Sequence, residues 1–257
     1  SHAAAYAFIS YQTAYLKANF PTEFIAASMT LDMHNTDKLN AFKQELDRIN
    51  IGLLEPDVNK SKAVFSVELE KKEGQQIAGV RYALAAIKNV GQSAMESLVI
   101  NRDIHGPFKN LQDFITRLDS KIISKRQFEN LVKAGALDQL RSNRRQLFEG
   151  TETIVRQGNV TQRERESDQI RLFGSEDLLS DQINLPDVPD WEPMERLKEE
   201  FDAIGFYLSA HPLDNYTNVL KRLKIKTFIE IEEAKRQGLV ALAGVIINKK
   251  DRLSQKG

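Results

Sequence analysis

The stretch ALAAIKNVGQSAMESLVINR, residues 83–102, decides the reading of this chain. Leu84, Ile87, Val90, Met95 and Leu98 recur at helical intervals on both sides of a Lys88-Asn89-Val90-Gly91 punctuation. That spacing predicts two short helices packed through their apolar positions, joined by a tight hairpin: a helix-hairpin-helix unit. The hairpin needs a residue free to take positive φ, and Gly91 is expected to supply it. Asn89 stands where such hairpins carry a first glycine, and asparagine tolerates the left-handed region better than most residues. Amides at the start of the second helix, around Asn89, Val90 and Gly91, can then bind a DNA phosphate without reading bases.

A second unit follows. Residues 111–140 again pair two helical patterns, the second opening on Ser124 as N-cap and closing on Gly135 just past its end. Lys88, Arg102, Lys109, Lys121, Lys125, Arg126 and Lys133 spread positive charge across the tandem. Lys88, Arg102, Lys125 and Arg126 are the side chains expected at phosphate, although the same spacing also fits two ordinary helical turns with solvated lysines.

Outward from the tandem, residues 1–50 read as helix, broken at Phe20-Pro21 and punctuated at His34-Asn35-Thr36-Asp37. Ala63–Glu70 alternates apolar and polar like a half-buried strand, and Gly74 suits a hairpin turn before Ile77–Val80. Residues 141–190 are polar and end in LPDVPD. Helix resumes at Trp191, is interrupted at His211-Pro212, and gives way to a small α/β segment. The fold class is therefore mainly α with small β elements, α+β in kind. The chain reads as a piece of something larger, with helix already under way at residue 1.

Charge excludes a global basic surface: 36 Lys and Arg balance 36 Asp and Glu, so any nucleic-acid contact has to come from local patches. The absence of cysteine excludes disulfides and thiolate metal sites. No apolar run is long enough to span a bilayer and no signal peptide opens the chain, so no membrane partner and a cytoplasmic setting are expected. His34, His105 and His211 sit at turns, and no pair has metal-ligand spacing on a helix face. A Gly-rich phosphate loop is likewise missing.

Several blocks in order, SHAAAYAFISYQTAYLKANFPTEF, LEPDVN, AIKNVG, GPFKNLQDF, LVKAGALD and IGFYLSAHPL, carry a resemblance over nearly the whole chain. They resemble the bacterial replicative DNA polymerase III alpha family, whose members are DNA-directed DNA polymerases (nucleotidyltransferases) of chromosome replication. The resemblance implies distal fingers over residues 1–80 and a tandem helix-hairpin-helix over 81–140. It further implies a clamp-binding segment over 141–190, a helical connector over 191–237 and the start of an OB domain over 238–257. Duplex primer-template, the ring-shaped sliding clamp (beta subunit) and other holoenzyme subunits are the implied partners. The family's catalytic carboxylates belong to a palm domain not in this sequence, so this piece is expected to be inactive alone. No cofactor is expected on it, while the intact enzyme is expected to use Mg2+.

Within that resemblance, Gln169-Ile170-Arg171-Leu172-Phe173 fits the QxxLF pattern by which such proteins dock on the clamp. Gln169, Leu172 and Phe173 are the docking residues: an apolar pair for a preformed pocket, and an amide that both donates and accepts. The same pair could instead staple the loop to its own domain, and Gln146-Leu147-Phe148, inside an expected helix, shows how readily similar letters arise. Ser1, His2 and Tyr6 lie on neighbouring faces of the first helix, which the family places near the incoming nucleotide. Tyr6, Tyr11 and Tyr15 equally suit burial. Val240–Ile247 reads as a buried-strand run opening the OB fold, with a single-strand surface left incomplete and this end expected to be poorly ordered or exposed as an unpaired edge. Two alternatives stand beside the replicative reading: the error-prone relative of the same polymerase, and a non-enzymatic helix-hairpin-helix adaptor.

Overall fold

Pro21 and Asn35 divide the first fifty residues into three helices. The computed structural model describes residues 2–72, 75–117, 123–166, 183–227, 230–231, 238–246 and 249. Helix α1 runs His2–Asn19, α2 Pro21–Leu31 and α3 Thr36–Arg48. Pro21 opens α2 at the position where a missing N–H costs nothing. Asn35 caps α3, its side chain accepting the Lys38 N–H at 3.1 Å.

The chain then builds a three-stranded sheet in the order β1-β3-β2, from β1 Leu53–Leu54, β2 Ser66–Lys72 and β3 Gln75–Arg81. β2 and β3 are antiparallel with Lys72 opposite Gln75, which leaves two residues between them; β1 joins β3 in parallel. Gly74, assigned to that turn, lies outside the described residues. Arg81, opposite Ser66, reaches diagonally to Glu68 with a two-pronged pair at 2.6 and 2.8 Å and also donates to the Glu55 carbonyl.

Helix α4 (Gln92–His105) follows a single 3-10 turn at Leu84–Ala86, then α5 (Leu111–Arg117) and α6 (Lys125–Lys133). Ser124 and Gln127 form a reciprocal capping box at the start of α6. At its end Gly135, at φ +81, takes the left-handed position. There the Gly135 N–H donates to Val132 and the Ala136 N–H to Leu131, both at 3.0 Å, a Schellman closure. Helices α7 (Arg144–Glu149), α8 (Thr151–Glu166) and α9 (Pro193–Ile204) complete this part. One apolar core runs through it, from Ile25 and Met29 through Phe65, Tyr82 and Met95 to Phe114, Phe128 and Ile204.

Charge is also buried here. The Arg144 guanidinium, 2% exposed, pairs with Asp138 at 2.8 Å, donates to the Lys133 carbonyl at 3.0 Å and lies 3.6 Å from Glu200, itself 2% exposed. Burial works against the Arg144 charge, but the Asp138 hydrogen bond and the surrounding carboxylates outweigh it and hold its pKa above the ordinary value. A Cβ on Gly135 would overlap this guanidinium, so glycine is required there twice over.

The chain groups into two compact units, Ser1–Leu208 and Ser209–Gly257. Within the second, His211 and Asp214 close a turn: the His211 N–H donates to the Asp214 carboxylate at 2.7 Å and the Leu213 N–H to His211 Nδ1 at 3.2 Å. Helix α10 (Thr217–Arg222) follows. The run 240–246, a buried-strand pattern with its end expected to be poorly ordered or exposed as an unpaired edge, has no strand pairing among the described residues, and Leu242 and Ile246 are exposed. An apolar run becomes a strand only against a ladder partner, and the described residues supply none.

Glu68 gives the sheet a pH signature. Its hydrogen bonds to Arg81 hold its carboxyl below the usual value of 4.5. A depressed carboxylate contributes stability that is present above 4.5 and lost as pH falls through its lower folded value. We expect Glu68→Gln to cost about 2 kcal/mol at pH 7 and to lower Tm by roughly 5 °C. Thermal melts of the two proteins should converge below pH 4.5; a Tm gap that persists unchanged into acid would contradict the assignment.

Candidate nucleic-acid interface

Residues 87–91 form the hairpin, and its geometry differs from the sequence expectation in one informative way. The Val90 N–H closes the turn on the Ile87 carbonyl at 3.2 Å, and the left-handed residue is Asn89, at φ +60. Gly91 is extended, at φ −78 and ψ 138, and serves as N-cap of α4. The third residue of a tight turn carries the positive φ here, a demand asparagine meets without a glycine. Gly91 is small for another reason: a Cβ on it would stand 3.1 Å from Gln127 Nε2, the side chain fixed by the α6 capping box.

The expected first helix of this unit is reduced to the 3-10 turn Leu84–Ala86. The Leu84 and Ala85 amides donate to the Lys62 and Ala63 carbonyls at 3.0 and 3.1 Å, and Ile87 is extended at ψ 132, which stops any continuation. Beyond the turn, α4 begins with no side-chain cap; its first backbone bond runs from Met95 N–H to the Gly91 carbonyl. Gln92 and Ser93, in that first turn, are exposed. A helix start with no side-chain cap and with Gln92 and Ser93 exposed is an arrangement that can take an anion at the positive end of the dipole. The Gln127 contact brings the start of α6 alongside, where Lys125 and Arg126 are exposed. Lys125 lies 3.5 Å from Glu152, a pair in which both side chains are more than half exposed.

The other residues of the hairpin and the basic residues of the tandem sit in different settings. Arg102 is 7% exposed and its guanidinium donates to the Val58 and Ser61 carbonyls at 3.1 and 2.6 Å, so it is an internal strut rather than a phosphate ligand. Val90 is a buried anchor whose amide closes the turn. Lys88 is half-buried, its backbone N–H bonded to the Ala203 carbonyl at 2.9 Å. Lys133 pairs with Glu199 at 2.6 Å and lies over the Phe148 ring. Lys109 is exposed, and Lys121 lies outside the described residues. Gln127 and Ala203 support the hairpin without a local signal for that role: Gln127 is legible as the third residue after an N-cap serine, but its approach to Gly91 is not.

The clamp residues Gln169, Leu172 and Phe173 lie outside the described residues, as do Ser1 and the side chain of His2. Gln146-Leu147-Phe148, the similar run in a helix, is built into the interior. Gln146 donates to the Pro186 carbonyl, Leu147 is fully buried, and Phe148 packs on Trp191 with ring centroids 5.6 Å apart. Tyr6, Tyr11 and Tyr15, for which burial was one expectation, are exposed by 70%, 67% and 51% along α1. Among the described residues no three His, Asp or Glu side chains converge on a metal-sized site, and no helix is long and apolar enough to cross a membrane.

Comparison with known proteins agrees with this geometry. Residues 50–147 match a helix-hairpin-helix motif family. The chain is similar to DNA polymerase III subunit alpha of Caulobacter vibrioides, 42% identical over 259 residues, covering 100% of the chain and 22% of that protein. It is also similar to the subunits of the same name from Xylella fastidiosa (40% identical, 87% of the chain, 18% of that protein) and Borreliella burgdorferi (34%, 96% and 21%). The chain spans about a fifth of the length of these curated relatives. With a helix-hairpin-helix region at its centre and similarity running from end to end, the chain matches a fragment of the DNA polymerase III alpha subunit.

Proposed function

We propose that this chain holds duplex DNA by its backbone as part of a template-directed replicative DNA polymerase, and that a neighbouring segment tethers that polymerase to a sliding clamp. The observation that carries the DNA reading is the open start of α4: amides with no side-chain cap, set behind the Asn89 turn and beside Lys125 and Arg126. Amides and cations of this kind contact phosphate oxygens and fix position without distinguishing bases. A polymerase has to move along every sequence, so grip without readout suits it.

The chain's zero net charge fits a local contact rather than broad electrostatic binding. Clamp docking through Gln169, Leu172 and Phe173 is supported by the QxxLF pattern, its polar setting and its place after the tandem. Burying Leu172 and Phe173 is worth roughly 1.5–3 kcal/mol each before ordering costs. Tethering to a ring on DNA converts such a modest affinity into processivity through effective concentration. The fingers role of Ser1, His2 and Tyr6 near a nucleotide, and an OB domain from residue 238, belong to the same proposal. Use of Mg2+ is proposed for the intact polymerase alone, and no catalytic step is assigned to this chain.

Two measurements test this. Lys125→Glu combined with Arg126→Glu should weaken duplex binding equally on unrelated sequences and reduce the salt slope by about 0.9 for each phosphate no longer neutralised; an unchanged slope would remove α6 from the interface. Calorimetric titration of the chain into the sliding clamp should give micromolar-class binding, near −8 kcal/mol, that is abolished by Leu172→Ala with Phe173→Ala. Heat of binding that survives the double change would exclude the QxxLF pair as the docking residues.

A further inference from the structure

Helix α1 is nearly without charge. Between residues 1 and 22 the sequence holds a single Lys, Arg, Asp or Glu, and that residue is Lys17. Every side chain from Ala3 to Phe20 is exposed, and none of the described α1 side chains belongs to the core that seats α2 and α3. The helix joins α2 through Phe20, which lies outside the helical region at φ −135 and ψ 57. Pro21 has no N–H to give the Lys17 carbonyl, so the helical ladder loses a rung at the junction. A proline joint of this kind leaves the direction of α1 to whatever holds it from the side.

Lys17 supplies that hold. Its ammonium stands 2.9 Å from Glu45 on α3. Glu45 is already gripped by Arg48, whose Nε and Nη2 donate to its two carboxylate oxygens at 2.9 and 2.8 Å. The Arg48 bonds, and after them the Lys17 bond, hold the Glu45 carboxyl down to about 2, so it stays charged at neutral pH. Its neighbour Leu46 is fully buried and Leu39 is 1% exposed, which makes α3 a fixed base for the carboxylate. Ordinary surface pairs are weak partly because two long side chains have to be ordered for one contact. Here one of the two is ordered before Lys17 arrives. The leverage is large as well: α1 extends about 21 Å from Phe20 to Tyr6, and a tilt of about 10° at the joint carries Tyr6 about 4 Å.

We infer that Glu45 is a positioning residue for the incoming nucleotide: through Lys17 it braces α1 against α3 and so sets where Tyr6 stands. The inference rests on the reading above that α1 lies near the nucleotide, and adds the charged brace that aims it.

Two measurements test it, one on this chain and one on the intact polymerase that contains it. The chain has no cysteine, so spin labels can be placed at Ala5→Cys and Gln44→Cys, both exposed, and pulsed electron paramagnetic resonance reads the distance between α1 and α3. One narrow distance is expected for the otherwise unaltered chain and for Lys17→Arg, which keeps the pair. Lys17→Met, which keeps the stem and loses the charge, should shift or broaden that distance by about 4 Å. The exchange Lys17→Glu with Glu45→Lys should restore it. In the polymerase, Lys17→Met should raise the nucleotide KM on the order of tenfold and leave the primer-template KM unchanged. Lys17→Arg should keep the nucleotide KM of the unaltered enzyme, and the exchange should return it. Thermal unfolding accompanies each variant; should the exchange fail to fold, Lys17→Arg carries the rescue. A distance unmoved by Lys17→Met overturns the inference, as does an effect that a folded exchange leaves in place. Tyr6→Ala separates this failure from that of the nucleotide reading. If Tyr6→Ala raises the nucleotide KM and Lys17→Met does not, the inference alone falls; if both are silent, the nucleotide reading of α1 falls with it.

Discussion

A buried guanidinium organises the first unit. Arg144 joins the end of α6 through the Lys133 carbonyl, the turn beyond it through Asp138, and α9 through Glu200. A charge so placed is costly unless its partners are all present, so removing one of them is far worse than the pair is good. What this secures is position rather than net stability. α9 is held where its last residues meet the hairpin, and the Glu200 carboxylate that faces Arg144 also accepts the Leu208 N–H at 3.1 Å, fixing the chain just past that meeting point. The open start of α4 is therefore reached from Arg144 in two steps, along one helix.

Other arginines follow the same pattern. Arg81 bridges Glu68 and the Glu55 carbonyl, Arg102 bridges the Val58 and Ser61 carbonyls, and Arg117 gathers Asn101 and the Gly106 carbonyl while lying over the Phe108 ring. A planar fork of five donors satisfies irregular backbone that no ladder or helix reaches. In a region rich in short helices and turns, carbonyls of that kind abound. The cations left at the surface beside the hairpin are consequently fewer than the letters promise, which fits a grip on a few phosphates.

What the sequence made legible was local, and what it concealed was tertiary. Pro21, Asn35, Ser124 and Gly135 act within one turn of themselves, and each starts or ends its helix where the pattern places it. The alternation of residues 63–70 likewise declares β2, because strand periodicity is written residue by residue. Arg102 reads as a phosphate ligand from its letters because its true partners are 44 and 41 residues away, and a basic residue near a hairpin looks the same whether it faces solvent or carbonyls. The exchange of roles between Asn89 and Gly91 is hidden for a similar reason. Gly91 answers to Gln127, a neighbour across the fold, whereas the turn itself requires only a residue tolerant of positive φ at position 89.

The position of Gln127 also bears on how separable such motifs are. Helix-hairpin-helix units are small enough to suggest portability between scaffolds with their binding intact. Here one glutamine serves two units at once, its oxygen accepting the Ser124 N–H while its nitrogen fills the space over Gly91, and the other flank of the same hairpin leans on Ala203. Excised alone, residues 83–105 would keep their letters and forfeit both walls. The transplantable module in this protein is larger than its motif, and extends from the sheet to the end of α9.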